Sequence, residues 1–385
     1  MLNHFISINK DGRFPEKTEP SKPTAERVQI IDALRGIAAL AVCWFHFTQS
    51  TGDSLPEGLV KKSGEFGFLG VNIFFVISGF VIPLTLLKCS YEIRGYFRFV
   101  ARRVVRLDPP YFVSLILVLA VGFALMHFTN SHAGQLPYES VPQILLHLGY
   151  LNVFFGYQFL NPIYWTLAIE FQYYLLLGLT FPMLFHSRQS VRRITIIALC
   201  TLPFFCKNHQ LLFRYMPWFL FGTSACYFYA KQISWKEYAG ATLLLSLFCG
   251  YLYGPLQTAP LVCTSLLISF HKGPISRVLG FFGAISYSLY LTHAPIGCAI
   301  INLSSHFEPS FSGKLGVLAL AWTATIVASY LMYRFIEKPA LQLASQIRYQ
   351  KRPTPENIPE PLLKNSSATE ETATSRNFPS PSRLT

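Results

Sequence analysis

Ten apolar stretches, each of membrane-spanning length or close to it, dominate this sequence and limit what it can fold into. A transmembrane helix needs about 20 mainly apolar residues, and a single apolar segment satisfies its own backbone hydrogen bonds only as a helix. With 51% hydrophobic and 13% charged residues, the composition also excludes an ordinary soluble enzyme. We therefore predict an all-α, polytopic integral membrane protein with about ten transmembrane helices. The stretches lie at 30–49, 66–87, 109–128, 163–186, 194–206, 210–230, 237–253, 255–271, 279–303 and 314–336.

The distribution of Lys and Arg predicts the orientation of the chain. If the N-terminus is cytoplasmic, 26 of the 32 Lys and Arg residues fall on the cytoplasmic side and five on the other. Because cytoplasmic loops carry the excess of positive residues, both termini are predicted to be cytoplasmic. The net charge of +13 therefore reflects the topology of the chain. No nucleic-acid partner is predicted, because no basic stripe interleaves with exposed aromatic residues.

Polar segments flank the apolar region at both ends. Residues 1–27 contain five Lys and Arg residues and no cleavable apolar core, so we predict a retained polar cytoplasmic tail. Residues 28–340 form the predicted transmembrane domain. Residues 341–385 are rich in Pro, Ser, Thr and Glu, which predicts a disordered cytoplasmic tail.

The first apolar stretch carries Asp32 and Arg35 near one end and His46 near the other. Ionisable residues are costly in hydrocarbon and usually mark function. Eleven positions are about three helical turns, so Arg35 and His46 project from nearly the same face, roughly 16 Å apart along the axis. The alternative is an Arg that extends to the membrane surface and a His bonded to a neighbouring helix.

Two further segments place charge beside or within apolar spans. Residues 96–111 contain a cluster of guanidinium groups, which suit phosphates but also suit ordinary anchoring on the cytoplasmic side. If this segment is helical, the spacing puts Arg98, Arg102 and Arg106 one turn apart, with Arg103 three positions before Arg106. Glu170 lies inside another span, where it either contributes to a site or locks two helices by bonding a facing Arg or Tyr.

The last two spans contain a polar stripe and a charged end. Ser286, Tyr290 and His293 recur at helical spacing on one face, which indicates either a substrate surface or a seam of interhelical hydrogen bonds. Arg334 and Glu337, three positions apart, predict a local ion pair. The eight cysteines include no C-x-x-C and are predicted to be packing residues, and the sequence predicts no metal site.

Taken together, these segments resemble acyltransferase family 3, the polytopic O-acyltransferases of bacterial surface sugars. Two departures from the family pattern stand out. Asn72 replaces an acidic residue, and Phe171 stands where some members carry a second Glu. The matching segments, in family order, are Arg35 with His46, Gly67–Phe80, Arg103 with Arg106, Tyr164–Leu177, Gly283–Pro295 and Tyr333–Pro339.

The resemblance implies a membrane enzyme that moves an acyl group, acetyl as the first candidate, from cytoplasmic acyl-CoA to a hydroxyl of a surface or lipid-linked carbohydrate. It implies a bacterial cytoplasmic (inner) membrane, with lipid, the acyl-CoA donor and a glycan acceptor such as lipopolysaccharide or another polysaccharide as partners. Acyl-CoA is a co-substrate, and no tightly bound cofactor is predicted.

Individual residues take expected roles from this resemblance and from their chemistry. His46 is the candidate base, because a neutral imidazole accepts a proton near pH 7. Arg35 would steady the CoA moiety or a developing oxyanion, and Glu170 would orient a base or the sugar. Arg103 and Arg106 would hold CoA phosphates. The residues expected to support the substrate or the structure are Ser286, Tyr290, His293 and Glu337.

Two other functions fit the residues. A proton-coupled transporter of a small solute or glycoconjugate also uses buried Arg, His and Glu, although no inverted repeat is visible in the sequence. A non-catalytic membrane scaffold would use the same polar residues only to hold helices together.

Overall fold

The computed structural model describes residues 23–49, 55–129, 140–205, 208–305, 307 and 310–348. Within these residues the fold is entirely helical, and all the helices lie in one compact unit that ends at Ile347. Most of the two predicted tails, 1–22 and 349–385, lies outside the described residues. The helices are α1 (Pro23–Gln49), α2 (Leu59–Ser63), α3 (Gly70–Lys88), α4 (Tyr96–Thr129), α5 (Val141–His147), α6 (Tyr164–Leu184), α7 (Gln189–Phe205), α8 (Leu212–Tyr229), α9 (Trp235–Tyr253), α10 (Pro255–Phe270), α11 (Arg277–Ala284), α12 (Ser286–Thr292), α13 (Ala299–Ser305), α14 (Phe311–Met332) and α15 (Lys338–Gln346).

Among the described residues, five helical segments are long and apolar enough to cross a membrane. A sixth is added if the bent pair Arg277–Ala284 and Ser286–Ser304, which meet at 58°, counts as one span. The prediction of an all-α polytopic membrane protein is therefore confirmed. The number ten and the cytoplasmic termini stay predictions, since α7 and α10 have only 17 and 16 residues and a span needs about 20. The five segments are Gln29–Gln49, Leu59–Lys88, Ile93–Leu125, Tyr164–Leu184 and Phe311–Gln346.

Helix α1, which carries Arg35 and His46, packs against α3, α11 and α12. Glycine makes this close approach possible. A Cβ atom on Gly283 would lie 2.1 Å from the carbonyl oxygen of Asp32, and one on Gly70 would lie 2.4 Å from that of Ala38. Small residues bring helix backbones together in membranes. This packing turns the faces of α1 that carry Arg35 and His46 towards neighbouring helices.

The basic segment before the third apolar stretch is helical rather than a loop. Helix α4 begins at Tyr96 and runs for 34 residues, so the arginines lie on its first three turns. Arg98 is exposed, whereas Arg103 is buried. The cluster is therefore divided between two faces of the helix.

Two π-helical turns interrupt the last spans. His293–Cys298 follows α12, and Tyr333–Glu337 follows α14. A π turn contains more residues than an α turn, so it changes which side chains face inward, and such turns are frequent at functional sites. His293 and Glu337 both lie in these turns and are both buried.

Candidate active site

A narrow cavity beside the N-terminal half of α1 collects four of the charged residues singled out in the sequence. Arg35, Arg103, Arg106 and Glu170 line it from three helices, together with Ser286 and Tyr290 of α12. Its volume is about 90 Å³. We call it the arginine cavity. Three guanidinium groups beside one carboxyl group make it suitable for an anionic group.

Glu170 is held by two hydroxyl groups. Ser78 on α3 donates to its Oε1 at 2.6 Å, and Tyr174, one turn along α6, donates to the same oxygen at 2.5 Å. Glu170 therefore joins α3 to α6 while it lines the cavity, and its partner on the facing helix is Ser78 rather than the Arg or Tyr considered from the sequence.

Arg103 and Arg106 face the arginine cavity while Arg98 is exposed. The guanidinium of Arg103 lies 5.3 Å from the ring centroid of Phe99 and 5.4 Å from that of Tyr174. Aromatic rings at this distance attract a cation. They fix the side chain with its charge beside the cavity.

The predicted ion pair between Arg334 and Glu337 is wrong. Arg334 is exposed, and the buried carboxylate of Glu337 accepts a hydrogen bond from Ser288 Oγ at 2.6 Å. The π turn between the two residues removes the α-helical spacing on which the prediction relied. Glu337 interacts electrostatically with Arg35 and Arg106, so this carboxyl group lies near the arginine cavity.

A second, larger cavity lies at the C-terminal end of α1. It has a volume of about 510 Å³ and is lined by His46 and by residues of α3, α6, α8, α9 and α10. We call it the histidine cavity. Most of the residues that line this cavity were not predicted from the sequence. Arg214 was only one of the five basic residues counted on the non-cytoplasmic side, and Asn72 was noted only as a departure from an expected sequence pattern. The polar and aromatic side chains that line it are Phe45, His46, Phe68, Asn72, Trp165, His209, Arg214, Tyr215, Trp218, Tyr253, Gln257 and Tyr290.

His46 is paired with His293, a contact that sequence reasoning missed. The two ring centroids lie 5.1 Å apart. Nδ1 of His293 lies 2.7 Å from the carbonyl oxygen of Tyr290. Because a carbonyl only accepts, Nδ1 carries the proton and Nε2 keeps its lone pair. Nε2 is buried and has no hydrogen-bond partner among the described residues.

The two cavities adjoin at a thin layer of side chains. Val71 and Tyr290 line both of them. The hydroxyl of Tyr290 lies 2.7 Å from Thr166 Oγ1 on α6 and donates to the carbonyl oxygen of Ile163 at 3.3 Å. Ser286, the third member of the predicted stripe, donates instead to the nearby carbonyl of Gly283 at 2.9 Å. Arg35 and Glu170 therefore lie on one side of Tyr290, and His46 lies on the other.

Known proteins resemble this chain over most of its length. The acyltransferase domain of acyltransferase family 3 matches residues 28–334. A protein provisionally named as a membrane-bound transacylase, BcsY of Komagataeibacter xylinus, is 27% identical over 351 residues, 81% of this chain and 82% of its own length. A protein provisionally named as an acetyltransferase, ORF330 of Acidianus two-tailed virus, is 25% identical over 294 residues, covering 68% and 81% of the two chains.

The O-acetyltransferase OatA of Staphylococcus aureus is 26% identical over 360 residues, which cover 80% of this chain. The match spans only 56% of OatA, so the present chain corresponds to little more than half of that relative. No solved structure matches the chain significantly.

Proposed function

The chain belongs to acyltransferase family 3, and on that premise we propose that it moves an acyl group from cytoplasmic acyl-CoA to a hydroxyl of a surface or lipid-linked carbohydrate. Acetyl is the first candidate for the acyl group. One observation carries the proposal. A cavity rich in arginine and a cavity lined by His46, whose ring contacts His293, adjoin along one helix, separated only by the layer at Tyr290.

The proposed orientation places the arginine cavity on the cytoplasmic side. It rests on the Lys and Arg distribution of the sequence, with ten spans and both termini in the cytoplasm of a bacterium. Acyl-CoA is made in the cytoplasm, so the donor would enter from the Arg35 end of α1. The acceptor would then meet His46 from the opposite side of the inner membrane.

Arg103 and Arg106 are the proposed ligands of the CoA phosphates. Guanidinium groups bind phosphate through two parallel N–H donors, which gives both affinity and orientation. A volume of about 90 Å³ holds only about three water molecules. Side chains around Tyr290 would therefore have to move for the thin pantetheine arm to pass, while the bulky nucleotide stays at the cytoplasmic surface.

The distance along α1 favours one of the two roles considered for Arg35. Arg35 and His46 are separated by roughly 16 Å, the rise of eleven helical residues. An oxyanion that forms beside His46 is out of reach of Arg35, since a stabilising donor must lie about 3 Å away. Arg35 is therefore proposed to contact the donor. Glu170, which lies on the same side of Tyr290, would position the donor too, rather than the base or the sugar considered from the sequence.

His46 is the proposed general base. It takes the proton of the acceptor hydroxyl as that oxygen attacks the thioester carbonyl, so a C–O bond forms. The C–S bond then breaks, and the thiolate of CoA receives the proton back from the imidazolium. His293 holds a fixed tautomer beside His46, and its Nε2 lone pair favours the imidazolium that forms.

The donor site is tested by calorimetry with acetyl-CoA and purified protein in nanodiscs. We expect a dissociation constant between about 1 μM and 1 mM, and loss of binding in the Arg103→Ala/Arg106→Ala double variant. Arg98→Ala is the matched control, because it removes a charge from the same helix on an exposed face.

Two outcomes contradict the donor assignment. Equal losses in the Arg98 variant and the double variant would mean that surface charge, rather than the cavity, attracts CoA. If folded wild-type protein binds no acetyl-CoA, the donor is not an acyl-CoA.

A further inference from the structure

The walls of the histidine cavity form a continuous aromatic surface. Trp165 and Tyr215 have ring centroids 5.5 Å apart, Tyr215 and Trp218 4.9 Å, and Trp218 and Tyr253 5.5 Å. Successive pairs are tilted or edge-on, so the rings present both faces and edges. Such rings cover the apolar C–H faces of a sugar, and a volume of about 510 Å³ is within the usual size of a ligand pocket.

The charge of this cavity is positive, and within the described part of the chain no carboxylate balances it. Arg214 on α8 lines it half-buried, with the guanidinium 5.7 Å from the ring centroid of Tyr253. Among the described residues, no Asp or Glu lines the cavity and none forms an ion pair with Arg214. The other titratable groups with basic character on its walls are His46 and His209. A partly desolvated guanidinium is stabilised by an anion placed against it.

The packing around Asn72 favours a neutral side chain at this position of the cavity wall. Its side chain is 1% exposed, and its NH₂ group donates to the backbone oxygen of Gln257 at 2.7 Å and to Gln257 Oε1 at 3.0 Å. The backbone oxygen can only accept, so it requires a donor at this position. A carboxylate in place of the amide would lose this hydrogen bond and face an oxygen that repels it, so the packing favours a neutral residue.

Trp218 contributes a hydrogen-bond donor to the cavity wall that no described residue uses. It is 5% exposed, it lines the cavity, and its indole N–H has no hydrogen-bond partner among the described residues. Buried donors in native proteins are almost always satisfied, so an exception requires an explanation. An oxygen atom of a bound molecule supplies one.

We propose that the histidine cavity selects a sugar acceptor that carries a carboxylate or phosphate group, and that Arg214 binds this group. The inference rests on the proposed function, because it names the class of acceptor that His46 would act on. Stacking on the aromatic wall would orient the ring, while the charge contact would fix which hydroxyl points at His46. Neutral sugars would fit the wall but lack the second contact.

The test uses three glycosides that differ only at C6: methyl glucoside, methyl glucuronide and methyl glucoside 6-phosphate, each with its galacto counterpart. Binding to wild-type protein in nanodiscs of neutral lipid is followed by tryptophan fluorescence, since Trp165 and Trp218 lie in the cavity. We expect at least one anionic sugar to bind about tenfold more tightly than its neutral counterpart. A preference for the glucuronide indicates an acidic sugar as acceptor, and a preference for the phosphate indicates a phosphate-linked one.

Three variants assign that preference to the cavity. Arg214→Gln should remove the preference for the anionic sugar while the neutral glycoside still binds, which also shows that the cavity is folded. Arg214→Lys should retain part of it. Lys62→Gln is the matched control, because Lys62 is an exposed cation on α2, which packs against the same end of α1.

The proposal is overturned if neutral and anionic sugars bind equally, if no anionic sugar binds in the millimolar range, or if Arg214→Gln keeps the preference. Acetyl-CoA binding is measured by calorimetry on the same preparation. Intact donor binding without a sugar preference defeats this inference alone. Absence of donor binding defeats the proposed function whatever the sugars do.

Discussion

Replacing His46 by alanine is expected to abolish acyl transfer and leave donor binding intact. Removal of a general base typically costs about 10²- to 10⁴-fold in rate. His46 lines the histidine cavity and not the arginine cavity, so the affinity for acetyl-CoA should stay within about twofold of wild type, a change worth only a few tenths of a kcal/mol. The measurements are single-turnover acetyl transfer in proteoliposomes and calorimetry with acetyl-CoA.

His271→Ala serves as the matched control for that experiment. His271 follows α10, lines neither cavity, and contacts the carbonyl oxygen of Gly273 at 3.2 Å. It should retain full activity. If His46→Ala keeps more than about a tenth of the wild-type rate, less than the usual contribution of a base, His46 is not the base, and His293 becomes the group to test.

Replacing Gly222 by alanine is expected to destabilise the fold. A Cβ atom at this position on α8 would lie 2.0 Å from the carbonyl oxygen of Val76 and 2.6 Å from the backbone of Gly79 and Phe80 on α3. All three contacts are backbone, so no side-chain rotation relieves them and the helices must separate. Overpacking of this kind costs about 1–3 kcal/mol and sometimes more. The measurement is the unfolding temperature and the monodisperse yield in detergent.

Gly240→Ala is the matched control for this substitution. Gly240 is on α9, and a Cβ atom there would have no other atom within 4 Å. Alanine is favoured over glycine in a helix by up to about 1 kcal/mol, so this variant should be neutral or slightly more stable. Equal behaviour of the two variants would show that α3 and α8 are not packed as closely as described.

Sequence alone was sufficient for the features that depend on local pattern. The length of the apolar stretches predicted the helices, and the eleven-residue spacing predicted a common face for Arg35 and His46. Ala38 and Gly70 lie where α1 and α3 pack closely, and small residues of this kind are typical of close helix packing in membranes. The family resemblance, carried by short segments in a fixed order, is confirmed.

Features that depend on contacts between distant segments could not be predicted. Ser78 bonds Glu170 across 92 positions, and His46 meets His293 through the packing of α1 against α12. The π turns changed the register at Glu337 and broke the expected ion pair. No periodicity places Arg214 and Trp218, one turn apart on α8, beside His46 of α1, because the two helices are distant in the sequence.

The layer that Tyr290 and Thr166 form has a bioenergetic consequence. A membrane that holds a proton gradient cannot tolerate a continuous water path between its two faces. Tyr290 and Thr166 direct their hydroxyls at each other and at the carbonyl of Ile163, which leaves little opportunity for a water chain to connect the cavities. In the proposed orientation the acetyl group crosses this layer uncharged. The membrane potential, worth about 2.3 kcal/mol per charge at 100 mV, would therefore neither drive nor oppose the transfer.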